Sequence, residues 1–197
     1  YLQAIELSRR VAGALGAYLL PTLPIVTSWG HIRFRGTVTF GAMTVRKVIE
    51  DIVESLYAGG FRKMVLVNVH GGNWVLKPTL IELNQRHTGL KLVTTGDTLA
   101  YRGQAPVEQL HAGEGEAGFI RAFYPECFRE EAVFDYSPLC PASAFDLVGI
   151  GGVSPKGVWG YPSRGTPETG RTHLEKQVED AVRYINRTLS ELEALPG

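Results

Sequence analysis

The chain has 197 residues, enough for one sizeable core, and at 44% hydrophobic and 20% charged it has the composition of a globular protein. Twenty basic and twenty acidic residues cancel, with no Lys/Arg block, so neither nucleic acid nor an anionic membrane is an expected partner. No apolar run approaches the ~20 residues of a membrane span, and the expected partner is a small molecule or a protein.

From Leu2 to Leu15, good helix formers surround an apolar face of Leu2, Ile5, Val11 and Leu15, with Gly16 placed to close the helix. This helix is already under way at Tyr1, with no Met and no signal-peptide pattern, so residues further upstream are expected. "AYLLPTLPIVTS" reads as extended around Pro21 and Pro24, and "SWGHIRFRGTVTF" puts His31 on a strand or turn. A helix is predicted over Thr44 to Ala58, where Val45, Val48, Ile49, Ile52, Val53 and Leu56 recur at helical spacing before Gly59-Gly60. "KMVLVNV" is then a short Val-rich run expected as a strand buried on both faces. A helix over about Val75 to His87 and a strand in "LKLVTTGD" follow. The stretch "GFIRAFY" is expected to be helical, and 149–165 is too rich in Gly, Pro and Ser for a regular element. Thr166 caps and Pro167 opens the last helix. Alternating helices and strands with short connections predict a single α/β domain over 1–197 with a largely parallel sheet.

Cys127 and Cys140 are too few for a disulfide framework and are not spaced as C-x-x-C, so a reduced, cytoplasmic protein with two buried thiols is expected. The histidines are more informative. His70 ends the Val-rich strand at the carboxyl edge, where ligands collect in open α/β sheets. Gly71 and Gly72 would let backbone approach a ligand, and Asn73 could cap the next helix; a plain tight turn explains the same residues. In "HAGEGEAG", His111, Glu114 and Glu116 offer imidazole and carboxylate donors of the kind zinc or manganese takes, while an acidic first helical turn accounts for the glutamates alone. His87 and His173 are expected on polar helix surfaces, without a role. A phosphate cradle at the glycines lacks any nucleotide-binding pattern to support it.

Together these stretches carry a resemblance. "NVHGGN" resembles the N-G-H-G-G-N signature of the creatininase (creatinine amidohydrolase) family, and "HAGEGEAG" its H-A-G-E-x-E-T-S signature. "GHIRFRGTVTF" is similar to that family's E-H-x-x-F-P-G-T stretch, and "GVWGYPSRGTPETGR" to its G-V-x-G-D-P-x-x-A-T-A-E-x-G stretch. The resemblance implies a three-layer αβα sandwich, two divalent metal ions (zinc or manganese), hydrolysis of an amide-type C–N bond, and a homo-oligomer, often a hexamer. By motif position it makes His70 and Glu116 metal ligands and His111 the group that moves protons to the leaving nitrogen. His31 and Trp159 become substrate-lining residues, and Gly71, Gly72 and Asn73 form a structural turn.

The departures bear first on the substrate. "EAG" replaces E-T-S after Glu116, Gly30 replaces an acidic residue before His31, and Arg35 stands where the family has Pro. Creatininases that act on creatinine carry Glu in place of Gly71, which points away from creatinine and toward a formamide, another cyclic amide or a small peptide, as in the family's deformylases and mycofactocin peptidases. Nothing like the family's E-x-H-G-x-H-L-P segment and T-D ligand precedes Tyr1, so the metal site is expected to be incomplete within these residues. The leading expectation is metal-dependent amide hydrolysis, in which the metal lowers the pKa of water and His111 protonates the departing nitrogen. The alternative is a non-catalytic binding or scaffold subunit that has lost the N-terminal ligands.

Overall fold

The computed structural model describes residues 1–95 and 109–195; the end of the predicted strand, Gly96 and Asp97, lies outside them. The chain forms two compact units, neither of them one continuous segment. The first is drawn from Tyr1–Thr27, Thr39–Thr98 and Val178–Gly197, the second from Ser28–Val38 and Leu99–Gln177.

In the first unit, α1 spans Leu2–Leu15 and ends at Gly16, whose left-handed φ of 60° turns the chain out of the helix. Helix α2 spans Ala42–Ala58, starting earlier than the apolar period indicates because the Gly41 carbonyl already accepts from the Thr44 and Val45 amides. Strand β1 (Lys63–Leu66), helix α3 (Leu76–Arg86) and strand β2 (Lys91–Thr94) make a β-α-β unit. Its strands are parallel, with Met64 opposite Leu92 and Val65 opposite Val93, a pairing that needs a crossover such as α3. Val45, Ile49 and Val53 of α2 bury with Leu80 and Leu83 of α3 against Met64 and Leu92.

The predicted first strand is longer than the observed one. Pairing stops at Leu66 because the next polar groups turn to side chains: the Asn68 amide donates to Thr95 Oγ1 and Asn68 Oδ1 accepts from the His70 amide.

The second unit contains α4 (Glu114–Phe123), α5 (Ala142–Val148), α6 (Ile150–Val153) and the start of α7 (Pro167–Glu193), which is counted with this unit up to Gln177. Phe119, Ile150, Trp159 and Leu174 are its most deeply buried apolar side chains. The segment 149–165, expected to be irregular, holds α6 and a 3-10 turn at Pro162–Arg164. It is also pinned by two isolated antiparallel bridges, Trp159 to His111 and Gly160 to Tyr136. Gly and Pro rule out a long element here but not single turns.

Helix α7 opens with a reciprocal cap: the Thr169 amide donates to Thr166 Oγ1 (3.2 Å) and the Thr166 amide to Thr169 Oγ1 (2.8 Å). Thr166→Ala is expected to cost about 1 kcal/mol, read as a lower melting temperature with unchanged helix content. Among the described residues no helix is long and apolar enough to cross a membrane.

Candidate active site

His70 sits in a turn of the first unit that is held by its neighbours. The Asn73 amide donates to the His70 carbonyl (3.1 Å), Asn73 Nδ2 donates to Asn68 Oδ1 (3.0 Å), and the Thr27 hydroxyl lies 2.6 Å from both the Gly72 carbonyl and Asn73 Oδ1. The reading of Asn73 as a helix cap gives way here, because α3 begins at Leu76, with Val75 in the cap position and no side-chain cap bond. Its buried amide instead ties the His70 turn to Asn68 and Thr27.

Gly72 has a packing reason. A Cβ at that position would lie 2.7 Å from His70 Nε2 and 3.0 Å from the Thr27 carbonyl oxygen, so the imidazole folds back over the glycine. Gly72→Ala is therefore expected to turn the His70 ring out of place and weaken any metal bound through it by roughly tenfold or more. Metal titration of the folded variant checks this, and an unchanged affinity would show that His70 does not depend on Gly72.

The second unit holds His31, His111 and His173. His111 is paired with Trp159 by two backbone hydrogen bonds, His111 N to Trp159 O at 3.0 Å and Trp159 N to His111 O at 2.8 Å. Its neighbour Ala112 takes a left-handed φ of 51°, a conformation a non-glycine residue holds only where its surroundings impose it. What imposes it is Glu116, whose Oε2 accepts from the Ala112 amide at 2.5 Å. Glu116 lies in the first turn of α4, and its carboxylate reaches back past the Gly113 cap to Ala112. Glu114 stands in the same turn, its amide donating to Gln109 Oε1 (3.1 Å), which also accepts from the Tyr161 amide (3.2 Å).

His31 ends a 3-10 turn, Trp29–His31. Its Nε2 is 3.0 Å from His111 Nε2, with ring centroids 4.8 Å apart. The half-buried Phe145 on α5 lies 6.1 Å from the His111 ring and meets Trp159 edge-on at 6.3 Å. Trp159 itself is only 1% exposed, so Phe145 is the more accessible of the two rings.

Gln109, Phe145 and Asn68 have no local signal in the sequence. His173 does have one, and its spacing in the last helix predicts a polar face. Its ring instead lies over Gly115, where a Cβ would come within 3.2 Å of it. His87, likewise expected on a surface, packs on Tyr57 (4.4 Å) with Nε2 3.0 Å from Glu54.

Burial holds the His31 imidazole below its ordinary pKa; His111 adds to this and Glu116 opposes it. Burial lowers His173 in the same way, with Glu116 opposing and Lys176 adding slightly. Both rings stay neutral in the fold at pH values where the unfolded chain takes up protons, below about 6.5. Stability from these groups is thus present above that pH and lost as pH falls. The melting temperature is expected to be lower at about pH 5 than at neutrality, and His173→Gln to flatten the difference. Identical pH profiles for the two proteins would show that His173 contributes nothing.

Imidazole and carboxylate are the donors a zinc or manganese centre takes. His70 belongs to the first unit and Glu116 to the second, where one carboxylate oxygen is already engaged by Ala112. No three His, Cys, Asp or Glu side chains converge among the described residues. These residues fit a metal in kind but fall short of a complete centre.

Comparison with known proteins is consistent with the motif order. A model of the creatininase family, described as creatinine amidohydrolase, matches residues 1–185. The chain belongs to the creatininase family. Among its creatininase relatives, a mycofactocin precursor peptide peptidase of Mycobacterium tuberculosis (strain CDC 1551 / Oshkosh) is 27% identical over 172 residues, covering 86% of this chain and 65% of that protein. A creatinine amidohydrolase of Pseudomonas putida is 27% identical over 152 residues, 66% of this chain and 58% of that protein. The chain therefore spans less than two thirds of the length of these relatives. A solved structure described as creatininase Mn matches with a TM-score of 0.74 at 24% identity, covering 94% of this chain and 81% of that one. The α/β fold is that of creatininases.

Proposed function

We propose that this chain is a metal-dependent hydrolase of an amide C–N bond in a small cyclic amide, formamide or peptide-like substrate, with His111 as the group that moves protons. The observation that carries this reading is the mounting of His111. Its backbone is locked to Trp159, the next residue is held in a left-handed turn by Glu116, and its ring meets a second imidazole. Such preorganisation suits a group that must deliver a proton in one geometry. An imidazole is also the side chain whose ordinary pKa lies nearest neutrality. Support from relatives is that one is described as a peptidase and another as an amidohydrolase.

Metal dependence is part of the proposal; His70 in the first unit and Glu116 in the second are each donors of the kind such a metal takes. The half-buried Phe145 beside His111 gives a substrate an apolar surface, and His31 stands at the same place.

The test is release of amine or ammonia from creatinine, simple formamides and short peptides by the purified protein supplied with manganese or zinc. Turnover of one class, lost on chelation and in His111→Asn, is expected. Metal-loaded protein that cleaves none of these amides would sink the reading.

A further inference from the structure

We propose that His31 and His111 share a single proton between their Nε2 atoms, and that His31 is thereby the positioning residue that sets which ring nitrogen of His111 carries its proton. The two nitrogens are 3.0 Å apart. At that distance two N–H groups would collide and two bare lone pairs would repel, so one nitrogen donates and the other accepts. The catalytic consequence rests on reading His111 as the proton-moving group; the proton sharing does not.

His31 is seated firmly enough to act in this way. Its amide donates to the Ser28 carbonyl (2.9 Å), and its own carbonyl accepts from the Phe34 amide and the Thr37 hydroxyl (2.9 Å each). Gly30, beside it, lies against Gly149, and Arg33 on the same segment donates to the Gly151 carbonyl (3.2 Å). The titratable groups acting on His31 are His111 and, from α4, Glu116. Burial first, and His111 second, disfavour a charged His31, so a proton gained by the pair favours His111. His111 then donates from Nε2 to the bare Nε2 of His31, whose own proton lies on Nδ1. His31 thereby sets which nitrogen of His111 carries the proton that a substrate would exchange.

The test is NMR of the full chain carrying ¹⁵N-labelled histidine, comparing the wild type, His31→Leu and His31→Gln, with His111→Asn to assign the signals. In the wild type the two ring nitrogens of His111 are expected to show one dominant tautomer. In His31→Leu they should move toward a mixture, with the titration midpoint of His111 lower by about one unit. His31→Gln, whose amide oxygen can accept the same proton, should stay close to the wild type. On a substrate, His31→Leu should lower kcat about tenfold or more with little change in KM, and His31→Gln should recover part of it. Nitrogen shifts and a midpoint for His111 that ignore His31→Leu would overturn the proposal, as would a Gln variant no better than Leu. If the shifts respond to His31 while no amide is hydrolysed, the shared proton stands and the hydrolase reading fails.

Discussion

Replacing His111 with asparagine is expected to lower kcat by about 10²- to 10⁴-fold, the usual worth of a positioned acid or base, while the protein remains folded. The expectation of an intact fold comes from how the residue is held. Both ladder bonds to Trp159 use the His111 backbone, and the left-handed turn after it is fixed through the Ala112 amide and Glu116. None of these needs the imidazole. Metal content and melting temperature should therefore stay near wild-type values while turnover collapses, with KM changing little because the loss is confined to the transition state. If kcat survives, another group moves the proton and His111 is only part of the turn.

Gly149→Ala is expected to destabilise the second unit strongly, because the segment that carries His31 packs directly on this glycine. The new Cβ would lie 2.3 Å from Gly30 Cα and 2.7 Å from the Gly30 carbonyl oxygen, and the backbone there has a φ of 68°. Steric overlap and left-handed strain act together, for a cost of about 3 kcal/mol. Because Gly30 immediately precedes His31, the same methyl group should also shift the imidazole pair. Thermal unfolding measures the first effect and the ¹⁵N shifts of His111 the second. A variant that melts with the wild type would mean that the two glycines can separate at no cost.

Much of the first unit was legible in the sequence because its signals are local. The 3.6-residue period of Val45, Ile49 and Val53 and the closing Gly16 translate directly into α2 and the end of α1. Val-rich β1 and its parallel partner could be read in the same way, although the strand's length could not. Asn68 leaves the ladder because its amide donates to the hydroxyl of Thr95, far along the sequence, while its side chain accepts from the His70 amide. Helix α5 went unread because its seven residues are too few to show a period. His111 and Glu116 stand out by spacing, but the partner of His111 is 80 residues away. No local pattern announces that His31 meets it, that Gln109 bridges Glu114 and Tyr161, or that His173 lies over Gly115. The glycines of 149–157 have loop composition, yet three of them, Gly149, Gly151 and Gly157, are contact surfaces for the His31 segment.

The path of the chain also decides how this protein can be taken apart. It leaves the first unit after Thr27, contributes Ser28–Val38 to the second, returns at Thr39, departs again after Thr98 and comes back at Val178. No single cut divides such a path into two self-sufficient pieces. A fragment beginning at Thr39 would strip His31 from His111, and one ending at Gln177 would remove the buried Ala181 and Ile185 from the first unit. Limited proteolysis should thus yield nicked but associated chains rather than a released module. Shuffling or fusing parts of this protein would succeed only if both excursions travelled together.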